Sequence, residues 1–190
     1  MLPELSQKTK LYSLLIHIEL HLVAQTVQAG CPYCGGPLHH SNYMRKPRGG
    51  PEDLCEELMV RYSLCCGRTG CRKRTLPPSV LFMGRRVYWA NVILIVVTLR
   101  QNKPQEYSKA ALMRKFGMCR KTINQWIKWF HDIFPHTTQW QRIRGFVSSV
   151  VSDAHLPSSV LNYFHTIKNS WQEAVISCLK FLVSGSNQVI

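Results

Sequence analysis

The chain has 190 residues, 45% of them apolar and 18% charged, with a formal net charge of +14. That length accommodates one or two small domains, and the composition permits a buried core and excludes wholesale disorder. Twenty of the 24 basic residues fall within residues 45–144, where they meet only six acids (Glu52, Asp53, Glu56, Glu57, Glu106 and Asp132), so this middle portion alone carries +14. A positive field concentrated in this way suits a polyanionic partner, because displacing condensed counterions from phosphates drives binding.

Residues 7–28 place Leu11, Leu14, Leu15, Ile18 and Leu22 at helical spacing, which predicts an amphipathic helix ended by Gly30. This N-terminal unit, residues 1–30, reads as a packing or dimerisation element, so a homodimer is one expectation. His17, Glu19 and His21 interrupt the apolar run and argue against a signal peptide. The later run 87–99 contains Asn91 and is short for a membrane span. The expectation is a cytoplasmic, nucleoid-associated protein with no membrane contact.

Residues 31–84 are rich in Gly, Pro, Cys and Arg and form the second predicted unit, a zinc ribbon. Cys31-Pro32-Tyr33-Cys34-Gly35-Gly36 is one knuckle and Cys66-Gly67-Arg68-Thr69-Gly70-Cys71 the other. Two residues between thiolates let both sulfurs face one ion, and the glycines allow the turn beneath it. Cys31, Cys34, Cys66 and Cys71 together supply the four thiolates that close a structural tetrahedral Zn2+ site. Such a site keeps no position for a reactive water, and its ion contributes folding energy. Cys65 is the alternate ligand. The alternation of Val60-Arg61-Tyr62-Ser63-Leu64 predicts a half-buried strand whose inward phase continues to Cys66 and favours it. His39 and His40 are weaker alternates, read as surface residues. Cysteines clustered in this way fit metal binding in a reducing compartment better than a disulfide framework.

Two basic groups flank the knuckles. Arg45, Lys46 and Arg48 lie in the stretch Arg45-Lys46-Pro47-Arg48-Gly49-Gly50-Pro51, read as a flexible loop that touches DNA phosphates. Arg72, Lys73 and Arg74 follow the second knuckle and have the same expected role.

Residues 85–135 form the third predicted unit. The apolar run 87–99 is read as a buried helix rather than a strand, because of its length and the helical pattern of the residues after it. Residues 102–104 are a linker. Two helices come next, separated at Gly117, with Pro135 ending the second. Gly117 suits a left-handed turn, and Leu112, Phe116, Met118, Ile123 and Trp126 match the apolar positions of a helix-turn-helix. Met113 departs from the pattern, since a small residue is usual there. In the second helix Ile123, Trp126, Ile127 and Phe130 form the inward stripe. Lys121, Asn124, Gln125 and Lys128 repeat on the opposite side, with Arg120 at the start. These residue types pair with base edges and phosphates in the major groove of double-stranded DNA. Residues 136–190 predict two short helices, 158–167 and 170–182, with no assigned role. The expected fold is mainly α with a small β zinc ribbon and a helix-turn-helix domain.

Four stretches resemble uncharacterised bacterial proteins associated with transposons and plasmids. They are Cys31 to His39 (Cys-Pro-Tyr-Cys-Gly-Gly-Pro-Leu-His), the Arg-Lys-Pro-Arg-Gly at 45–49, the Cys-Cys-Gly-Arg-Thr-Gly-Cys-Arg-Lys-Arg-Thr-Leu-Pro-Pro-Ser-Val at 65–80, and the Arg-Lys-Thr-Ile-Asn-Gln-Trp-Ile-Lys-Trp-Phe at 120–130. The ribbon also resembles those at the N-termini of some transposases. The resemblance spans residues 31–135 and implies DNA binding in a mobile element, as a regulator or transposition accessory factor.

Catalysis is not expected, and no residue is assigned a catalytic role. Nucleases and transposases need two or three carboxylates to hold divalent ions. Here Glu52, Asp53, Glu56 and Glu57 form one local cluster, while Asp132 and Asp153 are isolated. Two other readings compete with DNA binding. One is a non-catalytic adaptor for a recombinase or transposase partner. The other is an RNA-binding ribbon, for which Tyr33, Tyr43 and Trp140 are aromatics outside the inward stripes.

Overall fold

The structure, a computed structural model, describes residues 2–102, 105–147 and 150–185. It is mainly helical with a small antiparallel sheet. The chain opens with α1 (Leu2–Leu5) and α2 (Thr9–Ala29). The inward face of α2 is Leu11, Tyr12, Leu15, Glu19, Val23 and Thr26, while Leu14 is exposed. The buried stripe is therefore rotated from the one the aliphatic residues predict. Two polar side chains cause the shift, because each finds partners inside: the Tyr12 hydroxyl donates to the Ser6 carbonyl at 2.8 Å, and the Glu19 carboxylate accepts from Ser79, Val80 and Leu81.

Five short strands follow: β1 (Leu38–His40), β2 (Tyr43–Met44), β3 (Val60–Arg61), β4 (Leu64–Cys66) and β5 (Arg74–Thr75). They pair antiparallel as β1-β4-β5 and, separately, β2-β3. The stretch predicted as a single strand is thus two. Arg61 pairs with Tyr43 in one ladder and Leu64 pairs with His40 in the other. Between them Asn42 Oδ1 accepts the Ser63 amide at 3.1 Å, and the Ser63 carbonyl accepts the Ser41 amide at 2.7 Å. The acidic cluster is partly helical, in a 3-10 turn at Glu56–Met59.

α3 (Ala90–Asn102) is buried at every position from Ala90 to Leu99. A helix apolar all round belongs in a core interior, and this explains why its sequence shows no clear period. Trp89, just before it, stacks on Phe82 at 5.5 Å and meets Tyr12 edge-on at 5.0 Å. The Gly49-Gly50 turn is pressed onto this aromatic group: a Cβ on Gly50 would come within 2.5 Å of Trp89 Nε1 and 2.7 Å of the Tyr12 hydroxyl. The Arg48 amide also donates to the Val87 carbonyl at 2.9 Å. The 45–51 segment is therefore docked against the core, which corrects its reading as a flexible loop.

α4 (Lys109–Phe116) is capped by Ser108, whose hydroxyl accepts the Ala111 amide at 3.2 Å. Gly117 closes it in the left-handed conformation, at φ 57° and ψ 39°. α5 (Arg120–Lys128) then continues through a π-helical turn at Trp129–Ile133 and a 3-10 turn at Phe134–His136. α6 (Thr138–Ile143), α7 (Ser158–Ile167) and α8 (Trp171–Ser184) complete the chain, and α7 and α8 pack on each other and on α3. Trp140 is a core residue, 1% exposed, and its Nε1 donates to Asp153 at 2.9 Å. Asp153 also pairs with Arg144 at 3.3 Å. Buried residues form a large cluster drawn from α2, α3 and the C-terminal helices, and a small one of Cys31, Leu38, Leu64 and Cys66. Among the described residues no helix is long and apolar enough to cross a membrane.

Candidate metal centre and basic surface

The two knuckles converge. The first leaves the end of α2, and the second leaves β4, which pairs with β1 so that Leu38 lies opposite Cys66. The sulfurs of Cys31, Cys34, Cys66 and Cys71 all lie within 4.8 Å of one another. Cys31 and Cys71 are 3.7 Å apart, Cys34 and Cys66 3.5 Å. Four thiolates about 2.3 Å from a tetrahedral ion would be about 3.8 Å apart, so the spacing fits a metal ion. The close packing under the sulfurs supports this. A Cβ on Gly36 would come within 3.1 Å of Cys66 Sγ and 3.3 Å of Cys34 Sγ, so a larger residue would press the sulfurs out of place by a few tenths of an ångström.

The sulfurs differ in proton affinity. The Gly36 amide helps hold the Cys34 thiol down at about 7. The Arg68 amide pulls on Cys66 in the same sense, but burial and the sulfurs of Cys34, Cys31 and Cys71 outweigh it and push Cys66 up to about 12. A site that ionises one thiol easily and resists ionising its neighbours is one a cation completes, because the ion supplies the missing positive charge. Cys65 points elsewhere, with its sulfur 3.5 Å from the Arg72 carbonyl. His39 and His40 are exposed and outside the cluster. Arg68 braces the site from its rim by donating to the Cys34 carbonyl at 2.9 Å.

Around this centre the basic residues are not equivalent. Arg72 and Lys73 are exposed, with the Lys73 ammonium 4.3 Å from the Tyr33 ring centre. Arg74 donates to the Ser41 hydroxyl at 3.2 Å. Lys46 and Arg48 are exposed. Arg45 is turned inward. It donates to the Arg86 carbonyl at 2.7 Å and the Gly84 carbonyl at 3.4 Å, and its guanidinium lies 5.4 Å from the Phe82 ring centre.

On α5, Ile123 and Trp126 are buried and Ile127 is half-buried, while Arg120, Lys121, Asn124, Gln125 and Lys128 are all exposed. Trp126 meets Tyr88 edge-on at 5.0 Å, and the Tyr88 hydroxyl donates to the Gly117 carbonyl at 3.2 Å. The turn between α4 and α5 is thereby tied to Tyr88, two residues ahead of α3. Met113 is half-buried against the large core cluster, and its carbonyl accepts the Met118 amide at 3.2 Å. Lys109 donates to Asn124 Oδ1 at 2.8 Å, and Lys128 pairs with Asp132 at 3.6 Å. Cys119 precedes the helix, exposed, with its sulfur 3.2 Å from the Thr122 hydroxyl, a contact that lowers its thiol below the ordinary range.

Several contributors belong to no sequence motif. Arg85 and Arg86 belong to no motif, yet they stand beside Gln125 and Lys128 across one cleft. Glu19 reads as an interruption in an apolar helix, whereas its carboxylate accepts from Ser79 (3.0 Å), the Val80 amide (2.9 Å) and the Leu81 amide (3.3 Å), with Arg61 at 3.5 Å. Only the basic pair itself, next to Gly84, marks the first of these in the sequence. Compared with models of protein families, with curated proteins and with solved structures, the chain finds no match.

Proposed function

We propose that this chain is a DNA-binding protein without catalytic activity, in which Cys31, Cys34, Cys66 and Cys71 hold a structural zinc ion. In this reading residues 31–84 are a zinc ribbon, and α4, the Gly117 turn and α5 are a helix-turn-helix that presents α5 to the major groove. One observation carries the reading: five side chains able to bond bases or phosphates, Arg120, Lys121, Asn124, Gln125 and Lys128, are exposed together on a helix anchored by Ile123 and Trp126. Two turns of such a helix fit the groove, and its N-terminal residues reach base edges. Arg72, Lys73 and Arg74, with Lys46 and Arg48, add phosphate contacts from the ribbon side. Four sulfurs around one ion leave no site for a reactive water, so the metal's role is to hold the ribbon. The association with mobile elements rests on the resemblance of residues 31–135.

Selection from a random duplex library with the zinc-loaded protein tests this, repeated with Asn124→Ala combined with Gln125→Ala. A reproducible motif that degrades in the double variant supports groove reading. Salt-sensitive binding without any motif would reduce α5 to a packing element. Stronger retention of RNA than of duplex DNA in competition would favour the RNA-binding alternative.

A further inference from the structure

An open cleft of about 550 Å³ lies between the turn at residues 83–86 and the C-terminal half of α5. Arg85 and Arg86 form one side, Gln125 and Lys128 the other, with Trp129 and Ile133 between them. The turn and the Arg86 side chain are held in place. Arg45 holds the turn by donating to the carbonyls of Gly84 and Arg86, at 3.4 Å and 2.7 Å. The Arg86 guanidinium lies 4.2 Å from the centre of the Trp129 ring and donates one N–H to the Met83 carbonyl at 3.3 Å. A planar guanidinium fixed in this way loses little freedom when it takes up an anion.

Among the described residues, neither arginine has a carboxylate partner. Arg85 is exposed, with no hydrogen bond or ion pair among the described residues. Arg86 is half-buried, and burial alone works against its charge. The neighbouring acid is Asp132, which is already paired with Lys128 at 3.6 Å and His131 at 2.5 Å and does not line the cleft. Guanidinium groups without a counter-ion, one of them here partly desolvated, bind phosphate with bidentate, charge-assisted hydrogen bonds.

We propose that this cleft is a backbone-phosphate site, in which Arg85 and Arg86 grip the DNA strand beside the bases that α5 reads. The proposal rests on the DNA-binding reading above and deepens it. Arg45 is then a positioning residue that sets the turn. The position of the cleft, against Gln125 and Lys128 rather than Arg120, places the gripped phosphates, one for each arginine, on the C-terminal side of the base contacts.

Binding of the full-length, zinc-loaded protein to its selected duplex, titrated with salt, provides the test. Phosphate contacts set the slope of log affinity against log salt, about 0.9 for each phosphate neutralised. Arg85→Ala is expected to lower that slope by about one with the selected sequence unchanged, and Arg86→Ala to do the same. Arg45→Ala, read by the same titration, is expected to weaken binding through the turn. If Arg86→Ala misfolds, Arg85→Ala decides, because that side chain has no partner to lose. An unchanged slope in Arg85→Ala, with a wild type that binds its motif, overturns the phosphate site and leaves the groove reading standing. A changed motif in Arg85→Ala would make the arginine a base reader and also overturn the proposal. A wild type that binds no duplex overturns both readings.

Discussion

Glu19 has no exposed surface, yet four donors converge on it: the Ser79 hydroxyl, the amides of Val80 and Leu81, and the Arg61 guanidinium. Glu19→Ala removes the counter-ion of a buried guanidinium, which keeps only the carbonyls of Tyr62 and Pro77, and leaves three further donors without this acceptor; it is expected to cost about 3–5 kcal/mol in urea unfolding. The pH dependence has a definite sign. Burial, the largest influence, pushes the Glu19 carboxyl above its ordinary value of 4.5, against the pull of Ser79 and Arg61. The folded state therefore holds this proton more tightly than the unfolded state. The resulting stability is full below pH 4.5 and is lost as pH rises through the elevated value. Glu19→Gln cannot titrate, so its stability profile should lack this fall; a profile that parallels the wild type would place the titration elsewhere. Cys119 tests the proposed interface at the same scale. A bulky maleimide on this exposed thiol should abolish duplex binding, and Cys119→Ser should bind and resist the reagent. Full binding by the labelled protein would remove the start of α5 from the interface.

At the scale of elements, the α4–α5 turn depends on backbone conformation and not on space. Gly117 is left-handed at φ 57°, and nothing lies within 4 Å of where a Cβ would stand. Gly117→Ala should therefore cost about 1–2 kcal/mol from backbone strain alone, and Gly117→Asn distinctly less, since asparagine tolerates this region. Equal costs in thermal unfolding would mean that packing, not conformation, selects the glycine. This turn was readable because its reason is local. So were the bounds of α7, and those of α8 to within two residues. Cys66 joins the cluster as expected, but the alternation holds only within β4: upstream Arg61 and Ser63 are buried where Val60 and Tyr62 are the expected inward residues, because the stretch breaks into two strands. The docked 45–51 segment was not readable, because its partners, Tyr12 and Trp89, lie far away in the chain and the close approach of Gly50 has no sequence signature. The same holds for the Glu19 stripe on α2, whose partners Arg61 and Ser79 are 42 and 60 residues away. Arg45 illustrates the limit most clearly. Composition marks it as a free cation, while its carbonyl partners at Gly84 and Arg86 make it a brace.

Across the whole molecule, the two hydrophobic clusters set what a metal ion at the four cysteines would support. The large cluster runs through α2, α3, α5 and the C-terminal helices and includes none of the four convergent cysteines. The small one consists of Cys31, Leu38, Leu64 and Cys66, too few side chains to hold three two- or three-residue strands without an ion. α5 is supported from the large cluster, through Trp126 against Tyr88 and the Tyr88 bond to Gly117. Metal removal should therefore divide the molecule. Chelation, or Cys66→Ser, is expected to erase amide protection in β1, β4 and β5 while leaving α3, α7 and α8 protected and the far-ultraviolet helical signal nearly intact. Duplex binding should weaken with the loss of Arg72, Lys73 and Arg74 as ordered contacts, yet keep its sequence preference, because α5 stays in place. Hydrogen exchange, followed by selection on the metal-free protein, separates the outcomes. Simultaneous loss of protection in α3 and in the strands would show that the Glu19–Arg61 pair between α2 and β3 couples the two clusters into one cooperative unit.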